Sequence, residues 1–351
     1  MANLLLRTEA SVAIGTGHVM RCLALAQAWQ DTGGCATFAM AEATPAVEER
    51  LRSEGVKIVR LAAPVGTQED SNQTARLAAT RQAEWVVVDG YQFGAEYQLA
   101  LKKAGHKVLF VDDNGHAEYY SADLVMNQNA YGGEDLYRNR ESGTELLLGL
   151  RYAMLRREFR RWREQRRANS EVGSKVLVTL GGGDDANLTL RVIPAFEHVG
   201  LAALEVTIVA GGSNSHTREL EGAVARTEVH LRLLRNVTGM PELMAWADVA
   251  VSAAGTTVLE LAFMGVPTIL VTVADNQRSN ARACERLKFA LNLGDLAHVS
   301  PVQLAAAVRE LMTDPERRIR MTHSARNLVD GLGAERVVAR LKAGDWRGQN
   351  G

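Results

Sequence analysis

The sequence predicts an α/β protein with two domains, each built on a mainly parallel sheet with helices on both faces. Short apolar runs alternate with helical stretches along most of the 351 residues. Several runs are apolar throughout, which is typical of strands buried on both faces of a parallel sheet. The order of strand, glycine-rich turn and helix also recurs in the second half. These observations favour two Rossmann-like domains that face each other across a cleft.

The first half contains seven apolar runs that we interpret as strands. Its first strand leads through a turn into a predicted helix from Val19 to Trp29. The predicted strands are Leu4–Leu6, Ala36–Met40, Lys57–Leu61, Trp85–Val88, Lys107–Val111, Leu124–Met126 and Leu146–Leu148.

The turn after the first strand reads Ile14-Gly15-Thr16-Gly17-His18. Its two glycines would let the backbone approach a ligand closely, and the helix that follows offers unpaired N–H groups. His18 falls in the first helical turn, and an imidazole there is a suitable proton acceptor near neutral pH. The alternative is a buried histidine that caps a tight turn.

Residues 156–174 interrupt the strand–helix pattern. Their arginines are crowded into one segment that predicts a solvated helix leading into an interdomain linker. Nucleic-acid binding is the alternative, but Glu158 and Glu164 interrupt the run and no wider basic surface accompanies it. The arginines are Arg156, Arg157, Arg160, Arg161, Arg163, Arg166 and Arg167.

The second half repeats the alternation of strands and helices. We therefore expect domains at residues 1–155 and 175–333, a linker at 156–174, and a C-terminal helix and tail at 334–351 that pack on the first domain. The predicted strands are Lys175–Leu180, Val206–Ala210, His230–Leu234, Val249–Ser252, Thr268–Val273 and Phe289–Leu293.

Composition excludes several classes of protein. A net charge of -1 offers no general attraction to nucleic acid or to a membrane surface. The three cysteines, Cys22, Cys35 and Cys284, have no metal-binding spacing and suit a reducing compartment. There is no signal-peptide pattern and no 18-residue apolar run, so we expect a cytoplasmic protein without a metal, a cofactor or a membrane partner.

Two common nucleotide motifs fit poorly. Residues 181–186 match the dinucleotide pattern G-x-G-x-x-G/A, but the next strand ends without the acid that would bind a ribose. Asp184 and Asp185 would also repel a pyrophosphate at that turn. No G-x-x-x-x-G-K-[ST] motif of a P-loop is present. Gly182 and Asp184 remain candidates for contact with another kind of ligand.

A more informative stretch runs from Ser252 to Glu260. Here a strand, a small-residue turn and a helix follow one another, with Gly255, Thr256 and Thr257 at the helix start. Hydroxyl and N–H groups there could bind a pyrophosphate, and Glu260 could accept both hydroxyls of a ribose. The alternative is a threonine N-cap with an acid in the first turn.

A strand beginning Gly265-Val266-Pro267 and a polar loop complete this pattern. The loop contains Asn276, Gln277 and Asn280, and its spacing after the helix is that expected of a sugar-nucleotide site. Together these pieces are more specific than any one of them.

The second domain resembles the nucleotide-binding domain of the GT-B glycosyltransferases, and almost the whole chain resembles the UDP-sugar hydrolases of pseudaminic acid biosynthesis. The family's usual aspartate near Arg7 appears here as Glu9. The motifs that carry the resemblance are Arg7, Ile14–Arg21, Asp89–Tyr91, Val111–Asp113, Asn127–Tyr131, Gly149, Tyr152–Arg156, Leu180–Asp184 and Ser252–Glu260.

The resemblance implies metal-independent hydrolysis of a UDP-linked 2,4-diacetamido-2,4,6-trideoxyhexose, by attack of water at the anomeric carbon with inversion. It implies catalytic roles for His18, Tyr91 and Asn276. It also implies ribose binding by Glu260. We expect the remaining substrate contacts from Gly15, Gly17, Arg21, Gly182, Asp184, Ser252, Gly255, Thr256, Thr257, Gln277 and Asn280.

Several roles stay open at this point. Tyr91 follows a strand end and could equally be a rim aromatic that packs between domains. Asp89, Asp112 and Asp113 also follow strands; one could orient His18 or bind sugar, although loop capping is commoner. The other histidines, including His116, are expected at the surface or in turns. A glycosyltransferase with a non-water acceptor and a binding module without turnover are the competing functions.

Overall fold

The computed structural model describes residues 2–10, 15–165, 167, 170–181, 184, 186–211 and 214–343. Contacts divide these residues into two compact units. The first unit contains residues 2–10, 18–157 and 331–343. The second contains residues 15–17 and the described part of 158–330.

The first unit is built on a parallel sheet in the order β3-β2-β1-β4-β5-β6-β7. The strand order reverses between β1 and β4, and this switch point is where open α/β sheets bind ligands. The strands are β1 (Asn3–Thr8), β2 (Cys35–Met40), β3 (Lys57–Arg60), β4 (Ala83–Asp89), β5 (Val108–Val111), β6 (Leu124–Asn127) and β7 (Glu145–Leu148).

Helices α1 (Gly17–Asp31), α2 (Pro45–Ser53), α3 (Gln68–Thr80) and α4 (Ala95–Lys103) connect the first five strands. Apart from the partly buried Met20, the small and apolar residues of α1 are buried from Val19 to Trp29, which explains its long apolar stretch. Thr44 and Thr67 start α2 and α3, and each hydroxyl accepts a backbone N–H of the first turn.

The second unit is built on a parallel sheet in the order β10-β9-β8-β11-β12-β13, with the same reversal between its first and fourth strands. The strands are β8 (Lys175–Thr179), β9 (Glu205–Ala210), β10 (His230–Arg235), β11 (Val249–Ala253), β12 (Thr268–Thr272) and β13 (Ala290–Asp295). The helices are α5 (Leu188–Val192), α6 (Thr217–Arg226), α7 (Met240–Trp246), α8 (Thr257–Met264), α9 (Arg278–Arg286), α10 (Pro301–Thr313) and α11 (Pro315–Leu328).

The last described helix, α12 (Gly333–Lys342), packs on the first unit. The indole Nε1 of Trp85 in β4 donates to the carbonyl oxygen of Leu341 at 2.9 Å. Arg340 forms an ion pair with Glu145 of β7. The two ends of the chain therefore contribute to one core. No helix among the described residues is long and apolar enough to cross a membrane.

All thirteen predicted strands are present in these two sheets, and the α/β class is confirmed. In the described part of the arginine-rich segment, a 3-10 helix over Arg157–Trp162 replaces the predicted solvated helix. The backbone N–H of Arg157 donates to Gln27 Oε1 at 2.7 Å, and its guanidinium donates to Asp31 Oδ1 at 2.8 Å. Contacts with α1, rather than regular helix hydrogen bonds, fix the start of this segment.

Candidate functional site

The switch point of the first sheet brings His18 and Asp89 together. His18 lies in the first turn of α1, just after β1, and Asp89 ends the adjacent strand β4. His18 Nδ1 lies 2.6 Å from Asp89 Oδ1, and the histidine is 7% exposed. Because an ionised carboxylate can only accept, the contact with Asp89 requires the proton on Nδ1 and leaves Nε2 as the acceptor. Arg21 Nη2 also lies 3.0 Å from Nδ1, but it can donate to Asp89 Oδ1 instead. This is the arrangement of a general base oriented by a carboxylate.

Arg21 holds Asp89 in place. Its Nε and Nη2 each donate to Asp89 at 2.7 Å, and its Nη1 donates to both oxygens of Asp113 at 2.8 and 2.7 Å. Burial alone would raise the pKa of Asp89, but the charges and hydrogen bonds of Arg21 and His18 hold it well below its usual range. Arg21 thus binds two carboxylates. This favours a role in positioning Asp89 over the predicted contact with substrate.

Cys22 completes the surroundings of Asp89. Burial, followed by the neighbouring carboxylate, raises the pKa of the Cys22 thiol well above its usual value, so the thiol stays protonated. Its Sγ donates to Asp89 Oδ2 at 3.4 Å. Together with His18 and Arg21, it saturates the acceptor capacity of Asp89.

Tyr91 follows β4 and packs against the imidazole of His18. The ring centroids lie 4.9 Å apart at an interplanar angle of 85°, an edge-to-face contact. Tyr91 is 41% exposed. The structure therefore places the predicted tyrosine beside the predicted base, with part of its surface open.

Asp112 and Asp113, which follow β5, have different tasks. The Asp112 carboxylate accepts the backbone N–H groups of Asn114, Gly115 and His116, so it caps its own loop. It also accepts from His116 Nδ1 at 2.8 Å. Asp113 instead joins Arg21 to Asn129, whose Nδ2 donates to Asp113 Oδ1 at 2.6 Å.

Residues at the end of β6 and after it complete this hydrogen-bond network. Asn127 Nδ2 donates to the backbone oxygen of Asp113 at 2.9 Å, and its Oδ1 accepts the backbone N–H of Asn129. The Tyr137 hydroxyl donates to the backbone oxygen of Asp112 at 2.6 Å. Three neighbouring strand ends therefore support the His18–Asp89 pair.

A second buried cluster fixes the loops after β1 and β2. Arg7 is fully buried and donates to both oxygens of Asp70 at 2.9 and 2.8 Å. It also pairs with Glu9, whose carboxylate accepts the backbone N–H groups of Ala41 and Glu42 at 2.8 and 2.7 Å. Glu9 therefore serves as a loop anchor.

In the second unit, the turn between β11 and α8 presents the start of a helix. Thr256 is the N-cap residue of α8, but its side chain makes no capping hydrogen bond. Hydrogen bonds within this turn begin with the N–H groups of Val258 and Leu259. The hydroxyl of Thr256 is thus not used as the capping alternative requires. Glu260 lies half-buried one turn into the helix.

The polar loop after β12 lies close to that turn. Asn280 was predicted in this loop but lies in the first turn of α9, because the helix already begins at Arg278. It is buried, and its Nδ2 donates to the backbone oxygen of Ala254 at 3.0 Å, so it anchors the turn. Gln277 Oε1 accepts the N–H of Val273 at 3.1 Å. The amide nitrogen of Gln277 lies next to Gly255, at van der Waals distance (3.9 Å) from where a Cβ atom would stand. Asn276 is exposed in the same loop.

Three other predicted contacts lie in different settings. Ser252 is fully buried within β11, and its hydroxyl bonds to the backbone oxygen of Ala253 at 3.0 Å. Asp184 accepts the N–H groups of Leu188 and Thr189 at 2.6 and 2.9 Å, so it caps α5. Gly182 lies outside the described residues.

Of the two predicted glycines of the first turn, Gly15 has a conformation that favours glycine. Gly15 has a φ of +77°, a left-handed conformation that glycine adopts without strain. Gly17 is the first residue of α1. Among the described residues, no group of three or more His, Cys, Asp or Glu side chains could hold a metal ion.

His116 was missed by the sequence interpretation, which expected it at the surface or in a turn. In the structure His116 is half-buried, and both of its ring nitrogens form hydrogen bonds, one with Asp112 and one with the backbone oxygen of Phe93. The distance along the sequence between His116 and His18 does not predict that they lie near each other. The loop of His116 and the turn of His18 come together only because β4 and β5 follow β1 in the sheet.

The two sheets define the class of protein. The crystal structure of Acinetobacter baumannii MurG aligns with 97% of this chain and 99% of its own, with a TM-score of 0.66 and 18% identity. Structures of several glycosyltransferases align over similar lengths. The chain therefore has the predicted GT-B-like fold of two Rossmann-like domains.

Sequence comparison narrows the relationship. Residues 176–337 match the glycosyltransferase family 28 C-terminal domain. An uncharacterised protein of Methanocaldococcus jannaschii is 23% identical over 279 residues, which are 77% of this chain and 56% of that protein. The UDP-2,4-diacetamido-2,4,6-trideoxy-β-L-altropyranose hydrolase of Campylobacter jejuni is 24% identical over 283 residues, which are 80% of this chain and 94% of the hydrolase.

A third relative resembles mainly one half of the chain. The UDP-N-acetylglucosamine–N-acetylmuramyl-(pentapeptide) pyrophosphoryl-undecaprenol N-acetylglucosamine transferase of Xylella fastidiosa is 32% identical over 170 residues, which are 46% of each chain. The resemblance predicted from the motifs, to the UDP-sugar hydrolase and to the GT-B superfamily, is confirmed by these similarities.

Proposed function

We propose that this protein hydrolyses a UDP-linked 2,4-diacetamido-2,4,6-trideoxyhexose, with an L-altro sugar as the first candidate, to the free sugar and UDP. The Campylobacter relative carries this activity in its name and matches most of this chain. The proposed place of the reaction is the biosynthesis of a nonulosonic acid such as pseudaminic acid.

The reaction is a displacement at the anomeric carbon. A water oxygen forms a bond to that carbon while the bond from the carbon to the phosphate oxygen breaks, and UDP leaves with the electron pair. His18 Nε2 takes the proton of the attacking water. Attack from the face opposite UDP inverts the anomeric configuration. We propose that no metal is required, because N–H groups at a helix start can stabilise the charge on a leaving phosphate.

The observation that carries this proposal is the 2.6 Å contact between His18 Nδ1 and Asp89 Oδ1. It favours the tautomer in which Nε2 can accept a proton. The bond geometry resembles that of the acid–histidine pair in hydrolases, where the acid orients the ring and stabilises the imidazolium that forms. Tyr91, in contact with the same ring, is proposed to face the sugar.

The nucleotide is assigned to the second unit. The α8 start offers backbone N–H groups and the hydroxyls of Thr256 and Thr257 to the pyrophosphate. Glu260 is proposed to accept the ribose hydroxyls. Asn276 and Gln277, in the loop near Gly255, are proposed to contact the sugar and the phosphates.

The decisive experiment measures UDP release from the UDP-diacetamido-trideoxy sugar without any acceptor, in water enriched in ¹⁸O. We expect release of UDP, with ¹⁸O in the sugar, inverted anomeric stereochemistry and no loss of rate in a metal chelator. Incorporation of ¹⁸O into UDP would refute attack at carbon, and no turnover without an acceptor would refute hydrolysis.

His18→Phe should abolish hydrolysis while UDP still binds. A matched control is His106→Phe, because His106 is half-buried in the same unit and bonds to the backbone oxygen of Ala75. Retained turnover in the His18 variant would remove that residue from its proposed role.

A glycosyltransferase is the second candidate, favoured by the match of residues 176–337 to a glycosyltransferase domain. In that case the acceptor hydroxyl would replace water and His18 would deprotonate it. Turnover that appears only when an acceptor is added would support this alternative.

A further inference from the structure

His116 lies on the loop after β5, with both ring nitrogens in hydrogen bonds. Nδ1 is 2.8 Å from Asp112 Oδ1, and Nε2 is 2.9 Å from the backbone oxygen of Phe93. A carboxylate and a carbonyl oxygen can only accept hydrogen bonds. Both nitrogens must therefore carry protons for both bonds to form, which makes the ring an imidazolium.

The two partners of His116 lie on different segments. Asp112 belongs to the loop after β5, where its carboxylate also receives the Tyr120 hydroxyl at 2.5 Å. Phe93 belongs to the segment after β4, two residues beyond Tyr91. His116 therefore ties the segment that carries Tyr91 to the loop capped by Asp112.

The aromatic contacts indicate that the hydrogen bonds of His116 affect the position of Tyr91. The His116 ring packs edge-to-face on Tyr91, with centroids 6.0 Å apart and an angle of 83°. Tyr91 packs in the same manner on His18. Tyr91, which is partly exposed, thus lies between two histidine rings. His18 is the proposed base, and His116 is the imidazolium that bonds to Asp112 and Phe93.

We propose that His116 is a positioning residue that holds Tyr91 against His18 through its paired hydrogen bonds to Asp112 and Phe93. The catalytic meaning of this placement rests on the proposed hydrolase function. The placement itself is a property of the fold and can be tested without substrate. His116 and Asp112 would then set the position of the sugar-facing aromatic ring without touching the sugar.

The charged surroundings support a stable cation. Burial alone lowers the pKa of His116, but the hydrogen bond and charge of Asp112, the Phe93 carbonyl and the charge of Asp113 raise it above its usual value. Asp112 in turn stays ionised, because hydrogen bonds and the charge of His116 outweigh its burial and lower its pKa. On the alkaline side, the hydrogen bonds of His116 should weaken when the pH rises through its raised pKa.

The first test uses NMR of histidine-labelled protein and needs no turnover. Both ring nitrogens of His116 in the unaltered chain should be protonated at neutral pH. The ring protons of His18 should move in His116→Gln in the direction seen in Tyr91→Leu, because one change displaces the Tyr91 ring from the imidazole and the other removes it. His106→Gln, the matched control, should leave them in place. A singly protonated His116, or unmoved His18 signals in His116→Gln, would overturn the proposal.

The second test is a double-mutant cycle on hydrolysis. His116→Gln should lower kcat about tenfold or more by misplacing Tyr91, with a smaller change in KM. In a Tyr91→Leu background the same substitution should cost less than about twofold, because the effect has already been lost. Equal losses in both backgrounds would show that His116 does not act through Tyr91. If the unaltered chain does not hydrolyse the substrate, the proposed function fails, while the NMR test still decides the positioning role.

Discussion

Asp89→Asn is the most informative substitution, because it changes one atom of the group that fixes the tautomer of His18. The carboxylate accepts from His18 Nδ1 at 2.6 Å and from Arg21 at two positions. An amide in its place can turn its NH₂ group toward Nδ1. That nitrogen would then have to accept, and the proton would move to Nε2, where the base is needed.

The expected fall in kcat follows from this loss of the proton acceptor on Nε2. The equivalent change in a serine-protease triad lowers kcat about 10⁴-fold through the wrong tautomer. Partial recovery by ring rotation would reduce the loss, so we expect a fall in kcat of about 10²- to 10⁴-fold, or roughly 3 to 5.5 kcal/mol in the barrier. The substitution also deprives buried Arg21 of a charge partner, which costs about 3 to 5 kcal/mol of folding free energy when such a pair is broken.

Asp113→Asn separates the two effects. It removes the other carboxylate of Arg21, which donates to both oxygens of Asp113, but Asp113 does not bond to His18. Both variants should unfold at lower denaturant concentration, whereas only Asp89→Asn should lose more than about a hundredfold in kcat. The assay is acceptor-free UDP release, and the denaturant unfolding curve serves as the check that each variant is folded. Equal kcat losses in the two variants would refute the tautomer argument.

Three further predictions concern the nucleotide site, the first turn and pH. Glu260→Gln should weaken UDP binding about tenfold through lost charge-assisted hydrogen bonds, seen by calorimetry, and an unchanged affinity would remove Glu260 from the ribose. Gly15→Ala and Gly33→Ala should each cost about 1 to 2 kcal/mol of stability, because both glycines have positive φ; only the first should also reduce hydrolysis, and equal activities would separate Gly15 from the site. The raised pKa of His116 means that its stabilisation is complete below the usual value of 6.5 and is lost as the pH rises through the raised value. The fall in Tm on the alkaline side should therefore be shallower in His116→Gln, and parallel curves would contradict this.

The sequence was sufficient for the sheets and for the turn that carries His18. Strands such as Val86–Val88 and Val249–Val251 are apolar throughout because both faces of each parallel sheet are buried. Gly15 and Gly17 indicated a close turn, and the position of His18 in α1 followed from where the helix begins.

The partner of His18 could not be chosen from the sequence. Asp89, Asp112 and Asp113 all follow strands, and only the order β1-β4-β5 places Asp89 next to His18 and the others one strand further away. His116 was missed for the same reason, because its bonds to Asp112 and Phe93 join two separate loops.

Three of the predicted contact residues form hydrogen bonds within the protein that the sequence did not indicate. Ser252 fits the motif, but its hydroxyl is buried within β11 and bonds to the backbone. Arg21 was expected at the substrate, whereas two carboxylates already take its donors. Asp184 caps α5. Such assignments depend on which partner lies nearest in space, and spacing along the chain does not encode it.

The central claim is that His18 Nε2 accepts the proton of a water that attacks the anomeric carbon. A crystal structure of His18→Asn with the intact UDP-sugar bound would test it most directly, because the substitution should prevent turnover. Superposition of His18 should then place its Nε2 about 3 Å from a water on the face of the sugar opposite UDP, with the pyrophosphate at the start of α8. A bound sugar whose anomeric carbon lies far from the position of that nitrogen, or whose opposite face is closed to water, would contradict the account.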